Sequence, residues 1–318
     1  MLTGETYQRL IEAFCEPTSI LYQKMQSLKS TSHLDGMIDN PEAVNCHLRR
    51  ANYLVQTLKC KNKRILDYGS GMGFLACAIA SDGAEHVTGV EILEPHRCFS
   101  QFMAKDVFNV ENIQFVKNTK GLGLESYDIV LFSNVLSHVD NSLKVLLEAA
   151  DLLRSLGLIF VEDNNNMASF IIRRKMASRW IGAEKCYLSK RVEYIKNLFP
   201  EFSKDKIQNL AEKTYGMTYT QIFSYVEYYQ KFNKEAFDTT YLKSRAPIDP
   251  DTYVYHENAF YPQELETILF NAGFVPVKTS AKYVFTFRRH LLVSKIFQRL
   301  PKFSLNIAPA FEIIAIKK

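Results

Sequence analysis

The sequence has no long hydrophobic run. Stretches such as GLIFV at 157–161 and EIIAI at 312–316 fall far short of the about 20 apolar residues that a membrane-spanning helix needs. The N-terminal residues MLTGETYQRLIEAF include Glu5 and no basic segment leading into an apolar core, so no signal peptide is predicted. At 318 residues and a net charge of +5, we expect a folded, cytoplasmic chain without a transmembrane segment.

Metal-binding patterns are also missing. The six cysteines are scattered without a CxxC pair, which argues against a structural zinc site and suits a reducing compartment. The chain contains neither H-E-x-x-H nor a cluster of carboxylates that would suggest catalytic zinc or magnesium. We therefore expect chemistry that needs no metal ion.

What the sequence does contain is an alternation of short apolar strands with helical segments. The predicted strands are RILD, HVTGVE, IQFV, YDIVLF and GLIFV, followed after a long break by FVPV and AFEIIAI. Such alternation is typical of a parallel sheet with crossover helices. The predicted fold class is α/β, a doubly wound and mainly parallel seven-stranded sheet with an N-terminal helical segment and a helical insertion after strand 5.

Three regions are predicted. Residues 1–60 form a helical cap, in which NPEAVNCHLRRANYLVQTL reads as a helix with Asn40 as its cap and Pro41 in the first turn. Residues 61–164 and 259–318 form the sheet domain, and residues 165–258 form a helical insertion or lid. An aromatic stripe in the insertion favours a packed core over a binding surface; its members are Tyr219, Ile222, Phe223, Val226 and Tyr229.

The stretch RILDYGSGMGFLACAIA at 64–80 places three glycines directly after a strand-end carboxylate, Asp67. A strand, a glycine-rich turn and a helix can present backbone N–H groups to an anion. Read from Gly71, GMGFLA fits the dinucleotide pattern G-x-G-x-x-A, so a nicotinamide cofactor stays open. Asp67, however, would repel a pyrophosphate and favours a ligand with an ammonium group and no phosphate, such as S-adenosylmethionine.

ILDYGSGMG resembles the first motif of class I S-adenosylmethionine-dependent methyltransferases, an acidic residue followed by G-x-G-x-G. Glu91, after the second strand, matches the acid that grips the ribose hydroxyls in that family. Asn118 stands where the family often has an adenine-contacting Asp, and NVLSHVDN resembles the run near the methyl donor. The resemblance implies a Rossmann-like domain that binds S-adenosylmethionine. The cofactor-binding residues it implies are Asp67, Tyr68, Gly69, Ser70, Gly71, Gly73, Glu91, Ile92, Asn118, Thr119, Ser133 and Asn134.

Candidate catalytic residues follow the predicted strands or end the insertion. If the acceptor is a hydroxyl, a base must take its proton. His138, after the fourth strand, is the first candidate because imidazole is suited to proton transfer near neutral pH; its alternative role is to hold the loop by a hydrogen bond. Glu162 and Asp163, after the fifth strand, and His256, before the sheet resumes, are the other candidates.

The predicted function is O-methylation of a small or saccharide-like acceptor, since the insertion loosely resembles bacterial methyltransferases of glycan and small-molecule pathways. A nicotinamide-dependent oxidoreductase and a non-catalytic methyltransferase-like binding protein remain alternatives. The run SNVLS lacks the N/D-P-P-Y motif of amino-methylating nucleic-acid enzymes, so a nucleic-acid substrate is disfavoured. The basic, apolar insert at 288–303 either packs on the sheet or makes a weak peripheral membrane contact. The sequence does not predict an oligomeric state.

Overall fold

The computed structural model of the chain describes residues 4–28, 37–139, 141–164, 166–237, 239, 246–251, 258–282 and 301–318. Its centre is a sheet of seven strands in the order β3-β2-β1-β4-β5-β7-β6. The strands are β1 Arg64–Tyr68, β2 His86–Val90, β3 Ile113–Val116, β4 Tyr127–Ser133, β5 Leu153–Asp163, β6 Phe274–Lys282 and β7 Ala310–Lys317. All pairings are parallel except those of β7 with β5 and β6. This confirms the predicted fold class.

Helices cover both faces of the sheet. In chain order they are α1 Gly4–Cys15, α2 Ile20–Leu28, α3 Pro41–Leu58, α4 Phe74–Ser81, α5 Glu94–Phe102, α6 Ser142–Leu152, α7 Phe170–Leu198, α8 Lys204–Lys213, α9 Tyr219–Phe232, α10 Pro262–Asn271 and α11 Pro301–Leu305. A π-helical turn, Met103–Phe108, extends α5, and a 3₁₀ turn, Leu136–His138, follows β4. Within the described residues, no helix combines the length and the apolar character needed to span a bilayer.

Helix α3 begins where the sequence indicates. The Asn40 side chain accepts a hydrogen bond from the Ala43 N–H at 3.1 Å, and Pro41 occupies the first turn, which satisfies one of the unpaired donors of the helix start. The buried side of α3 packs over the sheet through Leu54 and Val55. This packing also brings the polar residues of the middle of α3 to the carboxyl ends of the strands.

The boundary between α6 and β5 differs from the predicted one. The sequence SLKVLLEAADLLRS reads as one helix, but α6 ends at Leu152 and β5 begins at Leu153. Leu153 pairs with Tyr127 of β4, and a register shift follows. Leu156 is exposed and has a φ of +59°. This left-handed backbone angle is incompatible with an α-helix. Strand pairing therefore overrides the helical pattern over these residues.

Side chains on adjacent strand residues point to opposite faces of the sheet. Leu131 and Phe160 join the apolar cluster under α3 and α4, whereas Phe132 and Val161 join the cluster against α6 and α10. The alternation continues to the end of β5. Glu162 lies on the same face as Leu131 and Phe160, and Asp163 lies on the opposite face. Two carboxylates that are neighbours in the sequence are thus separated by the sheet.

The insertion packs around its own apolar cluster. Helices α7, α8 and α9 contribute Ile195, Leu210 and Ile222 to it, and all three are buried. The guanidinium of Arg191 is buried beside this cluster, donates to the Ala211 carbonyl at 2.9 Å and pairs with Glu184. In the aromatic stripe, Ile222 and Val226 are core residues whereas Phe223 is exposed. The domain boundaries at 60, 164 and 258 stay predictions.

The left-handed backbone at Leu156 gives a stability test. Leu156→Gly removes a left-handed penalty of about 1–2 kcal/mol, partly offset by the entropy of glycine. We expect the free energy of unfolding to rise by up to about 1 kcal/mol in urea denaturation. The matched control is Leu147→Gly on the exposed side of α6, which should lower it by about 1 kcal/mol. Equal destabilisation by both changes would contradict the described α6–β5 junction.

Candidate functional site

A cavity of about 570 Å³ opens at the carboxyl ends of β1, β2 and β4. This volume is within the range of about 300–1,000 Å³ for small-ligand sites, and the crevice beyond the carboxyl ends is where open parallel sheets bind ligands. Of the twelve predicted cofactor-binding residues, ten line the cavity: Asp67, Tyr68, Gly69, Ser70, Gly71, Glu91, Ile92, Asn118, Ser133 and Asn134. Gly73 and Thr119 are not in its walls. The roles of all twelve residues toward a cofactor stay predictions.

The glycine loop after β1 uses left-handed backbone at all three glycines, with φ of +71° at Gly69, +55° at Gly71 and +76° at Gly73. A Cβ on Gly73 would lie 2.7 Å from the Ser100 Cβ, whereas the space around Gly71 is open within 4 Å. Gly73 is therefore required for packing against α5. Gly71 leaves room on the cavity side.

Four amide donors of this loop are already used within the protein. The N–H groups of Gly69 and Ser70 donate to the Val90 carbonyl at 2.8 and 2.9 Å, and the Gly73 N–H donates to the Ser70 carbonyl at 2.9 Å. The Gly71 N–H donates to Glu91 Oε2 at 3.0 Å. The loop thus holds a carboxylate of its own chain at the place where a dinucleotide-binding loop holds phosphate.

Glu91 lines the cavity while it ties two strand ends together. Its Oε2 accepts from Gly71, and its Oε1 accepts from the Leu93 N–H at 2.9 Å. Because each carboxylate oxygen has about two lone-pair sites, both oxygens keep capacity for a further donor. The predicted interaction with two vicinal hydroxyls is compatible with this geometry.

Asp67 is the most perturbed acid of the cavity. It is 2% exposed, and its Oδ2 has no hydrogen-bond partner in the described part of the chain. Burial raises the pKa of this carboxyl to about 7; the Arg50 charge opposes the shift and the Glu91 charge adds to it. A carboxylate that burial makes costly to ionise is a strong acceptor for a cation that enters the cavity.

Arg50, on α3, was not identified from the sequence. Its guanidinium lines the cavity, donates to Ser133 Oγ and forms an ion pair with Glu162 Oε1 at 2.9 Å. Its Nε is buried and, within the described residues, has no hydrogen-bond partner. The predicted helix does place His47 and Arg50 one turn apart on the same side, and in the structure both residues line the cavity.

Four buried polar atoms without a hydrogen-bond partner in the described ranges belong to residues of this one cavity: Asp67 Oδ2, Ser70 Oγ, Asn134 Oδ1 and Arg50 Nε. Buried polar atoms in proteins nearly always have partners, and exceptions call for an explanation. Two of these atoms are acceptors, one is a cationic donor and one is a hydroxyl that both donates and accepts. Together they fit a ligand end that carries both a positive and a negative group.

The structure separates the predicted catalytic residues. His138 lines the cavity, in a turn closed by its N–H and the Val135 carbonyl at 2.8 Å. Glu162 and Asp163 do not: Glu162 pairs with Arg50 and Lys282, and Asp163 Oδ2 accepts from the Ser137 N–H at 3.2 Å. The sequence predicts that both carboxylates face the crevice, whereas in the structure both are buried in these contacts. The contacts do not support a role as a catalytic base. His256 lies outside the described residues.

In the part of the chain that the structure describes, the cavity has no metal-binding cluster, and no residue of the insertion lines it. Among the described residues, no group of three or more His, Cys, Asp or Glu side chains is arranged to hold a metal ion. The described residues of α7, α8 and α9 are likewise absent from the cavity walls, so a lid role for the insertion stays a prediction. The N-terminal cap does reach the site, through His47, Arg50 and Ala51 of α3.

Curated proteins that are similar to the chain include O-methyltransferases. Over 151 residues the chain is 29% identical to a ubiquinone biosynthesis O-methyltransferase of Vibrio cholerae, covering 46% of this chain and 56% of that protein. It is 28% identical over 200 residues to the protein of that name from Shewanella halifaxensis, covering 58% of this chain and 80% of that protein. The chain spans about half the length of the first of these curated relatives.

Solved structures with a similar course of the chain include magnesium protoporphyrin IX methyltransferase from Synechocystis PCC 6803 with bound SAH. It has a TM-score of 0.47 and 14% identity and covers 95% of this chain and 96% of that chain. An S-adenosylmethionine-dependent methyltransferase from Mesorhizobium loti has a TM-score of 0.47 and 12% identity and covers 84% of this chain and 96% of that chain.

A family model described as a methyltransferase domain matches residues 45–221. These residues run from α3 through the glycine loop and β5 into the insertion and include the described walls of the cavity. Since the match covers more than half of the 318 residues, the chain belongs to this methyltransferase-domain family, and its seven-stranded sheet is the class I methyltransferase fold.

Proposed function

We propose that the chain binds S-adenosylmethionine in the cavity at the carboxyl ends of β1, β2 and β4 and transfers its methyl group to a hydroxyl of a small molecule. The observation that carries this proposal is the group of four unpartnered polar atoms around the cavity, from Arg50, Asp67, Ser70 and Asn134. When bound, the cofactor supplies a methyl group activated by its positive sulfur. The chain's own residues bind, orient and shield it.

The donor set of the cavity fits the amino-acid end of this cofactor. Asp67 Oδ2 and Asn134 Oδ1 are acceptors for an ammonium group, and the Arg50 guanidinium is a partner for a carboxylate. Glu91 keeps lone pairs for the ribose hydroxyls. Ile92 is 60% exposed at the edge of the cavity and, with Asn118, offers an apolar surface and an amide for adenine.

The same geometry disfavours a nicotinamide dinucleotide. Its diphosphate would need the loop amides, but the Gly71 N–H is held by Glu91 and the Gly69 and Ser70 N–H groups by the Val90 carbonyl. The diphosphate would also lie beside two carboxyl groups, those of Asp67 and Glu91, in a buried space where like charges repel strongly. A ligand with an ammonium group avoids both penalties.

A hydroxyl acceptor is supported by the names of the relatives, which are O-methyltransferases. Methyl transfer proceeds in line, so rate acceleration comes mainly from alignment in a closed site. His138 is the base candidate that lines the cavity, and its turn is positioned by the Asp163 carboxylate through the Ser137 N–H. A saccharide-like acceptor stays a prediction from the sequence, to be compared with other hydroxyl compounds in the assay.

Calorimetry with S-adenosylhomocysteine and NAD tests the cofactor assignment. We expect only S-adenosylhomocysteine to bind, with an affinity that rises about tenfold from pH 6 to pH 8 and levels off above pH 8. The reason is that the ligand's ammonium requires the ionised form of Asp67, whose pKa burial raises to about 7. Asp67→Asn should weaken binding at pH 8 and remove most of this pH dependence. Binding of NAD in place of S-adenosylhomocysteine would refute the assignment.

Asp67 should also lower the stability of the ligand-free protein. Its folded pKa of about 7 lies above the unfolded value of about 3.9, so its contribution to stability is present below about pH 4 and is lost as the pH rises to about 7. Asp67→Asn should therefore raise the free energy of unfolding at pH 8, without ligand, by on the order of 1–3 kcal/mol.

The matched control for this stability test is Asp128→Asn. Asp128 is equally part of a strand and buried, but it accepts from the Arg64 N–H at 2.8 Å and pairs with Arg154. Its replacement should lower the free energy of unfolding in the same urea titration. A destabilised Asp67→Asn variant at pH 8 would contradict the unsatisfied carboxylate described above.

Turnover with isotope-labelled S-adenosylmethionine tests the reaction. A panel of phenolic, aliphatic and saccharide hydroxyl compounds should contain an acceptor that becomes labelled on oxygen. His138→Gln should lower kcat by about 10²–10⁴-fold and leave the affinity for S-adenosylhomocysteine unchanged. Full activity of this variant would remove His138 as the base, and labelling on nitrogen or carbon would refute the O-methylation proposal.

A further inference from the structure

A chain of charged side chains, two of them partly buried and one fully buried, runs from the cavity to the antiparallel edge of the sheet. Arg50 pairs with Glu162 Oε1 at 2.9 Å, and the other oxygen of Glu162 accepts from the Lys282 ammonium. The Glu162 side chain is 1% exposed and that of Lys282 is 11% exposed. These three side chains come from α3, β5 and β6 and are here named the Arg50–Glu162–Lys282 chain.

A second carboxylate lies beside this chain without touching Arg50. Glu312, directly opposite Glu162 in the β5–β7 pairing, accepts from Tyr53 at 2.8 Å, Ser280 at 2.8 Å and Lys278 at 3.1 Å. It is nearly as buried as Glu162. Glu312 therefore has the same residue type, depth and sheet face as Glu162, but no contact with the cavity residue.

The position of Arg50 depends on Glu162. An arginine side chain has several rotatable bonds, and holding it in one conformation costs entropy. Its two described anchors are the Ser133 hydroxyl and the Glu162 carboxylate. Only the second is charged, and an ion pair with a buried carboxylate is screened little by solvent, so Glu162 is the stronger anchor although its Oε1 accepts no hydrogen bond in the described residues. With Glu162 held from its other side by Lys282, the guanidinium is fixed at the cavity wall before any ligand arrives.

The charges of the Arg50–Glu162–Lys282 chain do not balance, and one positive charge is left uncompensated. Arg50 and Lys282 carry two positive charges and Glu162 carries one negative charge, all in a buried region where unbalanced charge is costly. Lys282 has a second carboxylate close by, Glu312, whereas the acid close to Arg50 is Asp67, which is only partly ionised at neutral pH because burial raises its pKa to about 7. The surplus therefore lies mainly at the Arg50 end. An anionic group in the cavity next to Arg50 would balance it.

We propose that Glu162 is a positioning residue that orients Arg50 toward the carboxylate of the methyl donor and so sets the affinity for the amino-acid end of that ligand without touching it. The inference rests on the proposed binding of S-adenosylmethionine. It predicts that loss of Glu162 weakens binding only of ligands that carry this carboxylate, because the adenosine part of the ligand is held elsewhere, at Glu91 and Asn118.

The test measures the affinities of two ligands by calorimetry: S-adenosylhomocysteine, and 5′-methylthioadenosine, which has the same adenosine thioether but no amino-acid carboxylate. Glu162→Gln should weaken binding of S-adenosylhomocysteine about tenfold and change that of 5′-methylthioadenosine less than twofold. Arg50→Met should have the same selective effect, and larger. Glu312→Gln, the matched control, should leave the ratio of the two affinities as in the wild type.

Glu162→Gln leaves two buried cations without their carboxylate and can impair folding, so Glu162→Gln/Lys282→Met is the second variant, and circular dichroism checks the fold of each. The paired variant should show the same loss of selectivity, because it still lacks the anchor of Arg50. An equal loss for both ligands, or none for either, in the folded variant would overturn the inference.

The experiment distinguishes a failure of the proposed function from a failure of the proposed role of Glu162. If the wild-type protein binds neither ligand, both the proposed function and this inference are wrong. If the wild type binds S-adenosylhomocysteine but Glu162→Gln retains its full selectivity over 5′-methylthioadenosine, the proposed function stands and the positioning role of Glu162 is refuted.

Discussion

The burial of carboxylates at the carboxyl ends of the strands is the constraint on which the site depends. Asp67, Glu91, Glu162 and Asp163 all follow or end strands β1, β2 and β5, and all are buried. Burying a carboxylate without partners is costly, and the structure meets this cost in three ways. Backbone amides satisfy Glu91, ion pairs satisfy Glu162, and the Ser137 amide binds Asp163. Glu162 Oε1 lacks a hydrogen bond but is paired with Arg50, whereas in the described residues Asp67 Oδ2 has neither a hydrogen bond nor an ion pair. Asp67 is therefore the acid that a cationic ligand stabilises most. The same burial affects the thiol beneath it: burial raises the pKa of Cys77, and the Asp67 charge raises it further.

The Glu91–Gly71 hydrogen bond explains why the loop is unlike a phosphate-binding loop despite its glycines. The pattern of glycines sets the backbone conformation, since all three have positive φ, but it does not say where the amide hydrogens are used. Those of Gly69 and Ser70 extend the pairing with β2 at Val90, and that of Gly71 meets a carboxylate. The preference for a ligand without phosphate therefore rests on two acids, Asp67 and Glu91, and not on Asp67 alone.

The sequence was sufficient for features that arise from local pattern. Strands β1 to β4 are short, apolar and bounded by turn residues, and the motif residues Asp67 and Glu91 are fixed relative to the strands they follow. Arg50 could not be found in this way, because its contacts with Ser133 and Glu162 join segments that are far apart in the chain. The α6–β5 boundary was missed because LLEAADLLRS has helical composition, and only pairing with Tyr127 makes Leu153 a strand residue. The sequence does not distinguish Glu162 from Asp163. Alternation along a strand places their side chains on opposite faces of the sheet, but the neighbours on each face are known only from the structure.

The cavity walls predicted to bind the methyl donor and the turn that carries His138 are supported by different parts of the fold. The predicted donor-binding walls come from α3, the glycine loop and the end of β2, none of which involves the insertion. The turn that carries His138 is held from both ends of the predicted insertion. The Asp163 carboxylate, just before the insertion, accepts from Ser137, and Asn258, its last residue, donates its N–H to the Ser137 carbonyl at 2.7 Å and its side-chain amide to the Val139 carbonyl at 3.3 Å. The two ends of the insertion are also joined, since the Met167 N–H, near its start, donates to the carbonyl of Phe260, just after it, at 2.8 Å. We therefore expect a change at either end of the insertion to reach the turn that carries His138, whereas the residues predicted to bind the methyl donor are held by the sheet and α3.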